Sequence, residues 1–233
     1  NGGSKSLGYY LSYGNLSTSG LFVGNGYHAS RNNLRVKVTT TMLDRVKIDA
    51  NFGYTDVDNW TPASSDSSSD GLFYKALRSS PLTPVRFTDG GWGYGGSSAN
   101  PIAIIYDGGF INYKARETQL SLGGEMEILK GFTAKIQYAT RLKDVLRKQQ
   151  SNKIQHYIPD TDTPLASSST TSSISQRDIS ERYQNILVQG DYERTFGKHT
   201  VHLLAGFSQE WNVNQTMNAS RQDLVFDDLH VLN

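Results

Sequence analysis

The sequence contains no cysteine among its 233 residues. That absence excludes a disulfide framework, thiolate metal sites and a cysteine nucleophile. Proline is scarce, with six residues, and no apolar run approaches the roughly 18 residues that a membrane-spanning helix needs. An excess of one charge is lacking too: 23 basic and 22 acidic side chains leave a net charge of +1. This balance provides neither a basic surface for nucleic acid nor an acidic tail, so we expect no nucleic-acid partner.

The sequence does contain many glycines and tyrosines, 22 and 13 respectively, and few helix-like stretches. This mixture indicates β structure, and the length fits one large domain or two small ones. The chain begins at Asn1 without a basic-then-apolar leader. We therefore expect a processed chain or a fragment of a longer protein.

Apolar and polar side chains alternate in about seven stretches, the period-two pattern of a strand with two different faces. The clearest stretch, 46–54, places valine, isoleucine, alanine, phenylalanine and tyrosine on one side and lysine, aspartate, asparagine and glycine on the other. On a later polar face, Glu125 and Glu127 lie within reach of Lys135 and Arg141 on the next predicted strand. A salt-bridged, water-filled lumen explains these charges without catalysis. The remaining stretches begin near Leu7, Leu34, Leu120, Phe132, Ile186 and Val201.

The connections alternate strictly between short and long. Three are tight, at Leu43-Asp44, Lys130-Gly131 and Gly197-Lys198, and between them lie long ones that include 57–113 and 143–178. Outer-membrane barrels use this layout, with short periplasmic turns and long extracellular loops, whereas compact soluble domains rarely need connections longer than about 15 residues. The predicted fold class is therefore all-β: part of a large transmembrane antiparallel β-barrel.

Strand length and aromatic position agree with this fold. A tilted membrane strand needs roughly 9–11 residues, the size of stretches 46–54 and 201–211. Phe132 and Phe196 adjoin tight turns, while Tyr54 and Trp211 lie at the far ends, where an aromatic girdle would be. About seven strands cannot close an up-and-down barrel, and unpaired edges in hydrocarbon cost several kcal/mol per group. We therefore expect the missing strands to come from sequence outside these residues.

The two longest connections carry the candidate functional residues. Segment 57–113 is expected to be an extracellular loop with a short helix over 72–78, followed by a glycine-rich run that carries Trp92 and Tyr94. These two rings could stack on a sugar or grip a peptide; alternatively, they only anchor the loop. Segment 143–178 is expected to be a serine- and threonine-rich extracellular loop whose run 167–173 is mobile or disordered.

Candidates for chemistry are few. Asp160 and Asp162 lack the remaining ligands and the glycine of a calcium loop. His199 and His202 are three apart in a strand, so they face opposite sides and cannot share a metal. Nucleotide-binding, serine-hydrolase and zinc-protease motifs are absent from the sequence. We expect no catalytic residue, no metal site, no cofactor and no enzyme activity.

Six short stretches occur in a characteristic order over nearly the whole chain. That order and spacing resemble the SusC/RagA-type TonB-dependent outer-membrane transporters, including an early barrel strand, the next strand, an extracellular helix with its proline turn, and a later turn and strand. The stretches are GGSK at 2–5, YYLSYG at 9–14, RNNLRV at 31–36, ALRSSPLTPV at 76–85, TFGKHTVHLLAGF at 195–207 and DDLHVLN at 227–233.

The resemblance implies more than the residues themselves. Such transporters are barrels of about 22 strands with a plug inside, they lie in the outer membrane of Gram-negative bacteria, and TonB drives them by pulling on the plug. A SusD-like surface lipoprotein closes the mouth as a lid. The cargo is oligosaccharide and less often oligopeptide. Residues 1–233 would then be a partial barrel without plug or TonB-binding segment. No substrate-binding residue carries over from the resemblance; from the aromatic residues of the loops themselves we expect Trp60, Tyr74, Trp92 and Tyr94 to contact substrate or lid.

Two other classes of protein remain open at this stage. A soluble carbohydrate-binding sandwich or adhesin is also rich in tyrosine, glycine and alternating strands. A glycan-degrading enzyme on a β scaffold would need two acids roughly 5 or 9 Å apart. The decisive expectation is that the apolar sides of the strands contact lipid and are not covered by a protein interior.

Overall fold

A computed structural model describes residues 1–24, 27–42, 45–63, 71–94, 100–158, 161, 163–167 and 171–224. These residues form ten strands and two short helices. In chain order they are β1 (Gly2–Gly3), β2 (Leu7–Ser19), β3 (His28–Met42), β4 (Val46–Pro62), α1 (Leu72–Arg78), α2 (Pro101–Asp107), β5 (Gly109–Leu129), β6 (Phe132–Ser151), β7 (Gln155–Tyr157), β8 (Pro164–Ser167), β9 (Ser173–Phe196) and β10 (His199–Gln222).

Eight strands form one antiparallel up-and-down sheet in the order β1-β2-β3-β4-β5-β6-β9-β10. The seven predicted strands are therefore confirmed, and the two-residue β1 adds an eighth. Within the described residues β10 pairs only with β9, and β2 carries only β1 beyond it, so the sheet does not close on itself. The all-β antiparallel class predicted from the sequence is confirmed.

The strand register aligns the apolar side chains of neighbouring strands. Phe52 of β4 lies opposite Val36 of β3 on one side and Leu120 of β5 on the other. Likewise, Val188 of β9 lies between Ile136 of β6 and Phe207 of β10. Because opposed residues share a face, the separate alternations merge into one surface across seven strands, which we call the apolar face. The opposite side of the sheet is the polar face.

The apolar face has no protein cover in the part of the chain that the structure describes. Phe207 is 61% exposed and Leu11 is 63% exposed. The other described sheet is the short β7–β8 hairpin, and the buried apolar cluster lies in the connections. A soluble sandwich would stack a second sheet on these side chains, so this architecture disfavours that alternative.

The tight turns that the structure describes lie at one end of the sheet. Gly131 and Gly197 occupy two of them with φ values of +83° and +63°, a conformation that glycine adopts without steric cost. The third predicted turn, Leu43-Asp44, lies outside the described residues, as do 66–70, Asp160, Asp162 and 227–233. The described parts of the long connections lie at the opposite end.

The predicted bounds of the two long loops were wrong because the strands are longer than expected. β4 continues to Pro62 and β5 begins at Gly109, so the first connection is not 57–113 but 63–108. The second connection narrows from 143–178 to 152–172. Beyond Tyr54 apolar residues fall on both faces among polar and charged ones, as Val57 and Trp60 show, so alternation gives no signal there. Cross-strand ion pairs, such as Lys114 Nζ to Asp58 Oδ2 at 3.4 Å, accompany the extended ladder instead.

The serine- and threonine-rich run was expected to be mobile throughout 167–173, and this was wrong at its end. Ser172 is buried, its Oγ accepts a hydrogen bond from the Lys153 amide at 3.0 Å, and Ser173 begins β9. Residues 168–170 lie outside the described residues. Backbone pairing with β6 explains this order, and composition alone does not reveal it. Among the described residues, no helix is long and apolar enough to cross a bilayer.

Candidate functional site

The apolar face ends at the same level on neighbouring strands. On β4 the residue after Tyr54 on this face is Asp56, and on β5 the residue after Thr118 is Arg116. Arg116 Nε lies 3.2 Å from Asp56 Oδ1, so the charges above the boundary pair across the strands. From Val46 to Tyr54 the strand runs about 26 Å, or about 20 Å in height at a tilt of about 40°. This height is close to the band of about 25 Å that a barrel presents to lipid.

The polar face carries paired charges between its strands. Lys135 Nζ lies 3.7 Å from Glu125 Oε2, which confirms the predicted proximity of these residues. The guanidinium of Arg141 pairs instead with Glu181 of β9, at 2.6 Å, and not with a glutamate of β5. This wall is compatible with water and with polar cargo.

A hollow of about 540 Å³ opens on the polar face near the end of the apolar band. Gly14 of β2 and Gly53 of β4 border it and contribute no side chain, which leaves the wall concave. Arg31 and Arg35 of β3 stand on its rim, with Glu117 of β5 on the opposite side. The hollow lies beside the end of the sheet that carries the long connections.

The long connections pack into a separate core above the sheet. Leu72 of α1, Ala103 and Ile104 of α2, Trp92 and Ile154 form one buried cluster. This cluster joins the first long connection to the second, because Ile154 follows β6. The described loops therefore form an ordered layer at the end opposite the tight turns.

Asn100 organises this layer and was missed in the sequence. Its Oδ1 accepts hydrogen bonds from the amides of Ile102 and Ala103 and so caps α2, while its Nδ2 donates to the carbonyls of Val85 and Gly93 at 2.9 and 3.1 Å. The signal was present: asparagine before Pro101 is a typical helix start, with proline at the first helical position.

Trp92 lies inside the loop core, 8% exposed. Its Nε1 donates a hydrogen bond to the carboxylate of Asp107, and the Arg86 guanidinium lies 3.6 Å from the ring centroid. Tyr94 is half-buried, with its ring centroid 5.3 Å from that of His156, which is 1% exposed. The structure thus brings Trp92 and Tyr94 into one anchored layer, and their contact with substrate or lid stays a prediction.

The other two candidate residues lie elsewhere. Trp60 is half-buried near the end of β4, stacked on Phe110 of β5 at 4.1 Å between centroids. Tyr74 is 39% exposed on α1, and its hydroxyl accepts a hydrogen bond from Arg78 at 2.8 Å. Phe73 and Leu77, one helical turn apart, are also exposed, Leu77 at 87%. We call Phe73, Tyr74 and Leu77 the exposed face of α1; among the four candidate residues, Tyr74 alone is on this face.

Among the residues that the structure describes, no group of three or more histidine, aspartate or glutamate side chains is arranged to hold a metal ion. On the polar face Lys135 and Arg141 form ion pairs between strands with Glu125 and Glu181.

Comparison with known proteins gives a structural match. No family model matches the chain, and no curated protein matches it in sequence. The fold is similar to that of the RagAB peptide importer in the closed-closed state, with TM-score 0.71, 15% identity and coverage of 97% of this chain and 25% of that chain. For a RagAB peptide transporter structure the TM-score is 0.72 and the identity 14%, with coverage of 98% of this chain and 25% of that chain. For the importer in the open-open state the TM-score is 0.70 and the identity 14%, with coverage of 97% of this chain and 25% of that chain.

At such low identity the likeness shows the fold alone: the sheet matches a stretch of barrel wall. The chain spans about a quarter of the length of the solved chains that it matches.

Proposed function

We propose that this chain forms part of the barrel wall of an outer-membrane importer of bulky nutrients. In this proposal TonB drives transport through a plug outside the present residues, and a SusD-like surface lipoprotein closes the mouth. The apolar face contacts outer-membrane lipid, the polar face lines the lumen, and the loop layer faces outward from the cell. The chain acts as a wall and a receptor surface and has no enzymatic role.

One observation carries this proposal most directly: the register merges seven separate alternations into a single uncovered apolar face. Soluble monomers rarely expose contiguous apolar patches beyond a few hundred Å², whereas barrel strands present such a band to hydrocarbon. Within the described residues β10 has no partner on its outer edge, and β2 pairs there with only the two residues of β1. This agrees with the proposal, because closure with further strands removes edges that lipid would penalise. The fold match to part of a RagAB chain supports the same interpretation.

For the cargo we propose oligopeptide, with oligosaccharide as the alternative. The sequence resemblance ranked oligosaccharide first, but the solved structures that share this fold are named as peptide importers. A peptide offers backbone amides and carbonyls as well as charges to a wall of paired polar groups such as Lys135 and Glu125. The uptake experiment below compares both classes of cargo.

For the lid contact we propose the exposed face of α1. Its three side chains are apolar or aromatic, they stand on an element whose Leu72 is buried in the loop core, and they lie at the end of the sheet that carries the long loops. Burying them against a partner would gain roughly 25 cal/mol per Å² of apolar surface. A lipoprotein that covers the barrel mouth fits this position.

The test is uptake by cells that carry the full-length protein and its lipoprotein partner. We expect the protein in the outer-membrane fraction, and labelled oligopeptides accumulating in cells with TonB but not in cells without it. Labelled oligosaccharides tested in parallel decide the cargo class. Recovery of the protein in the soluble fraction without detergent, or uptake that is independent of TonB, would overturn the proposal.

A further inference from the structure

The hollow on the polar face combines open space beside two glycines with arginine side chains that form no ion pair in the described part of the chain. Gly14 has no atom within 4 Å of the position that a Cβ would take, and at Gly53 the nearest atom is the Gln119 Cβ at 3.7 Å. A side chain would fit at both positions, so no neighbouring atom requires glycine there. What the two glycines do is keep the wall open over about 540 Å³.

The guanidinium of Arg31 is held at the rim by its neighbours. Its Nε donates a hydrogen bond to Asn33 Oδ1 at 3.0 Å, and the same oxygen accepts a hydrogen bond from Thr55 Oγ1 at 3.2 Å. Because Asn33 occupies only the Nε side, the two terminal amino groups of Arg31 stay available to a further acceptor.

The cations of β3 outnumber the acids that face them. Arg31, Arg35 and Lys37 all lie at odd-numbered positions of β3 and therefore share its exposed polar face. Within the described part of the chain none of the three forms an ion pair, in contrast to Lys135, Arg141, Lys114 and Arg116. The acid beside the hollow is Glu117, which accepts a hydrogen bond from Gln119.

We propose that this hollow binds carboxylates of the imported peptide, with Arg31 and Arg35 as the binding residues. The proposal rests on the proposed function, since it names a subclass of the cargo: acidic oligopeptides. Guanidinium groups bind carboxylates through paired, charge-assisted hydrogen bonds. Beside these two arginines the hollow offers a volume of about 540 Å³.

Strand geometry sets the spacing of the preferred peptide. Arg31 and Arg35 are four residues apart on one strand, so their Cα atoms lie about 13 Å apart. An extended peptide covers the same distance in four residues. A peptide with two glutamates at positions i and i+4 therefore matches both arginines, and one with adjacent glutamates matches a single arginine.

The experiment uses the full-length transporter with its lipoprotein and three synthetic oligopeptides that differ only at positions i and i+4, which carry glutamate, glutamine or lysine. We expect Arg31→Gln and Arg35→Gln each to weaken binding and uptake of the glutamate peptide about tenfold or more, the loss typical of a charge-assisted hydrogen bond. The glutamine peptide should be unaffected. The double variant Arg31→Glu with Arg35→Glu should reverse the preference toward the lysine peptide.

The matched control is Arg116→Gln, which removes the same side chain from the other side of the wall, where it pairs with Asp56. It should leave the preference among the three peptides unchanged. Equal losses for all three peptides in the Arg31 and Arg35 variants would show a structural role, and unchanged uptake would show no role; either result overturns the inference. A wild-type transporter that imports peptides without regard to charge contradicts the inference alone, whereas one that imports no peptide contradicts the proposed cargo.

Discussion

Leu122 of β5 lies directly opposite Tyr138 of β6 on the apolar face, while the preceding residue, Ser121, lies on the polar face opposite Ala139. Replacing Leu122 by arginine therefore places a charge in the band that we assign to lipid. We expect a loss of about 2–4 kcal/mol in folding stability in the membrane, as for arginine near the bilayer midplane. Heat-modifiable migration of the folded barrel and urea titration in lipid vesicles measure this loss.

The control for this prediction is Ser121→Arg, one residue away on the same strand. Its side chain enters the polar lumen, so folding stability should change by much less than for Leu122→Arg. If both substitutions lower folding stability equally, the two faces of the sheet do not lie in different environments, lipid and water, and the barrel interpretation fails.

Gly109 at the start of β5 is a second point where one substitution should have a large effect. Its φ is +93°, and a Cβ there would lie 2.2 Å from the Gln150 carbonyl oxygen. For Gly109→Ala the backbone conformation alone costs about 1–3 kcal/mol, and the contact forces β5 and β6 apart. We expect a reduced yield of folded protein and a lower midpoint in urea.

Gly8 of β2 provides the comparison for this effect. At Gly8 the nearest atom to an added Cβ is the Thr39 carbonyl oxygen at 3.9 Å, an ordinary contact. Gly8→Ala should leave stability within about 1 kcal/mol of wild type. A Gly109→Ala protein as stable as the Gly8→Ala protein would contradict the strained geometry assigned to Gly109.

Substitutions of Trp92 and Tyr74 should distinguish a residue that stabilises the loop from one that contacts a partner. Trp92→Ala removes a buried ring, its hydrogen bond to Asp107 and its contact with Arg86, and a buried tryptophan typically contributes about 3–5 kcal/mol. We expect faster protease cleavage within 63–108 while the barrel itself stays folded. Tyr74→Ala should leave the cleavage rate unchanged and weaken binding of lipoprotein or cargo.

Uptake provides the functional test of the same loop. If the double variant Trp92→Ala with Tyr94→Ala binds and imports cargo like wild type, neither ring takes part in recognition. If Tyr74→Ala accelerates cleavage as much as Trp92→Ala, its exposed position in α1 is wrong.

The sequence predicted the sheet well because strands with one apolar and one polar face have a strong period-two pattern. The stretch from Val46 to Tyr54 shows this alternation, and the neighbouring strand supplies Leu120 as a cross-strand partner for Phe52. Where the same strands continue to Pro62 and Gly109, apolar residues such as Val57 and Trp60 fall on opposite faces among polar ones, and the pattern vanishes. The sequence therefore located the strands and misplaced their outer ends.

The candidate site was less predictable because its geometry depends on contacts distant in sequence. The cluster around Trp92 requires Ile154, 62 positions further along the chain. The hollow joins residues of β2, β3, β4 and β5, and only the register shows that Gly14 and Gly53 border the same space. Aromatic composition indicated an anchored loop, but it could not distinguish the buried ring of Trp92 from the exposed ring of Tyr74.

Asn100 allows the two roles of one side chain to be tested separately. Asn100→Asp keeps an oxygen that can cap the amides of Ile102 and Ala103, but it loses the amide that donates to the Val85 and Gly93 carbonyls. Asn100→Ala loses both. The lost cap alone costs about 1 kcal/mol, and each buried carbonyl left without a donor costs about 1–3 kcal/mol.

Because the bonds to the carbonyls span two segments of the loop, we expect both variants to accelerate protease cleavage within 63–108. The aspartate variant should fall between wild type and alanine, since it keeps the helix cap that alanine loses but, like alanine, lacks the donor to the two carbonyls. Cleavage rates under native conditions, compared with the unchanged urea midpoint of the barrel, give this order. An aspartate variant as resistant as wild type would mean that capping of α2, and not the bridge to Val85 and Gly93, holds the loop layer together.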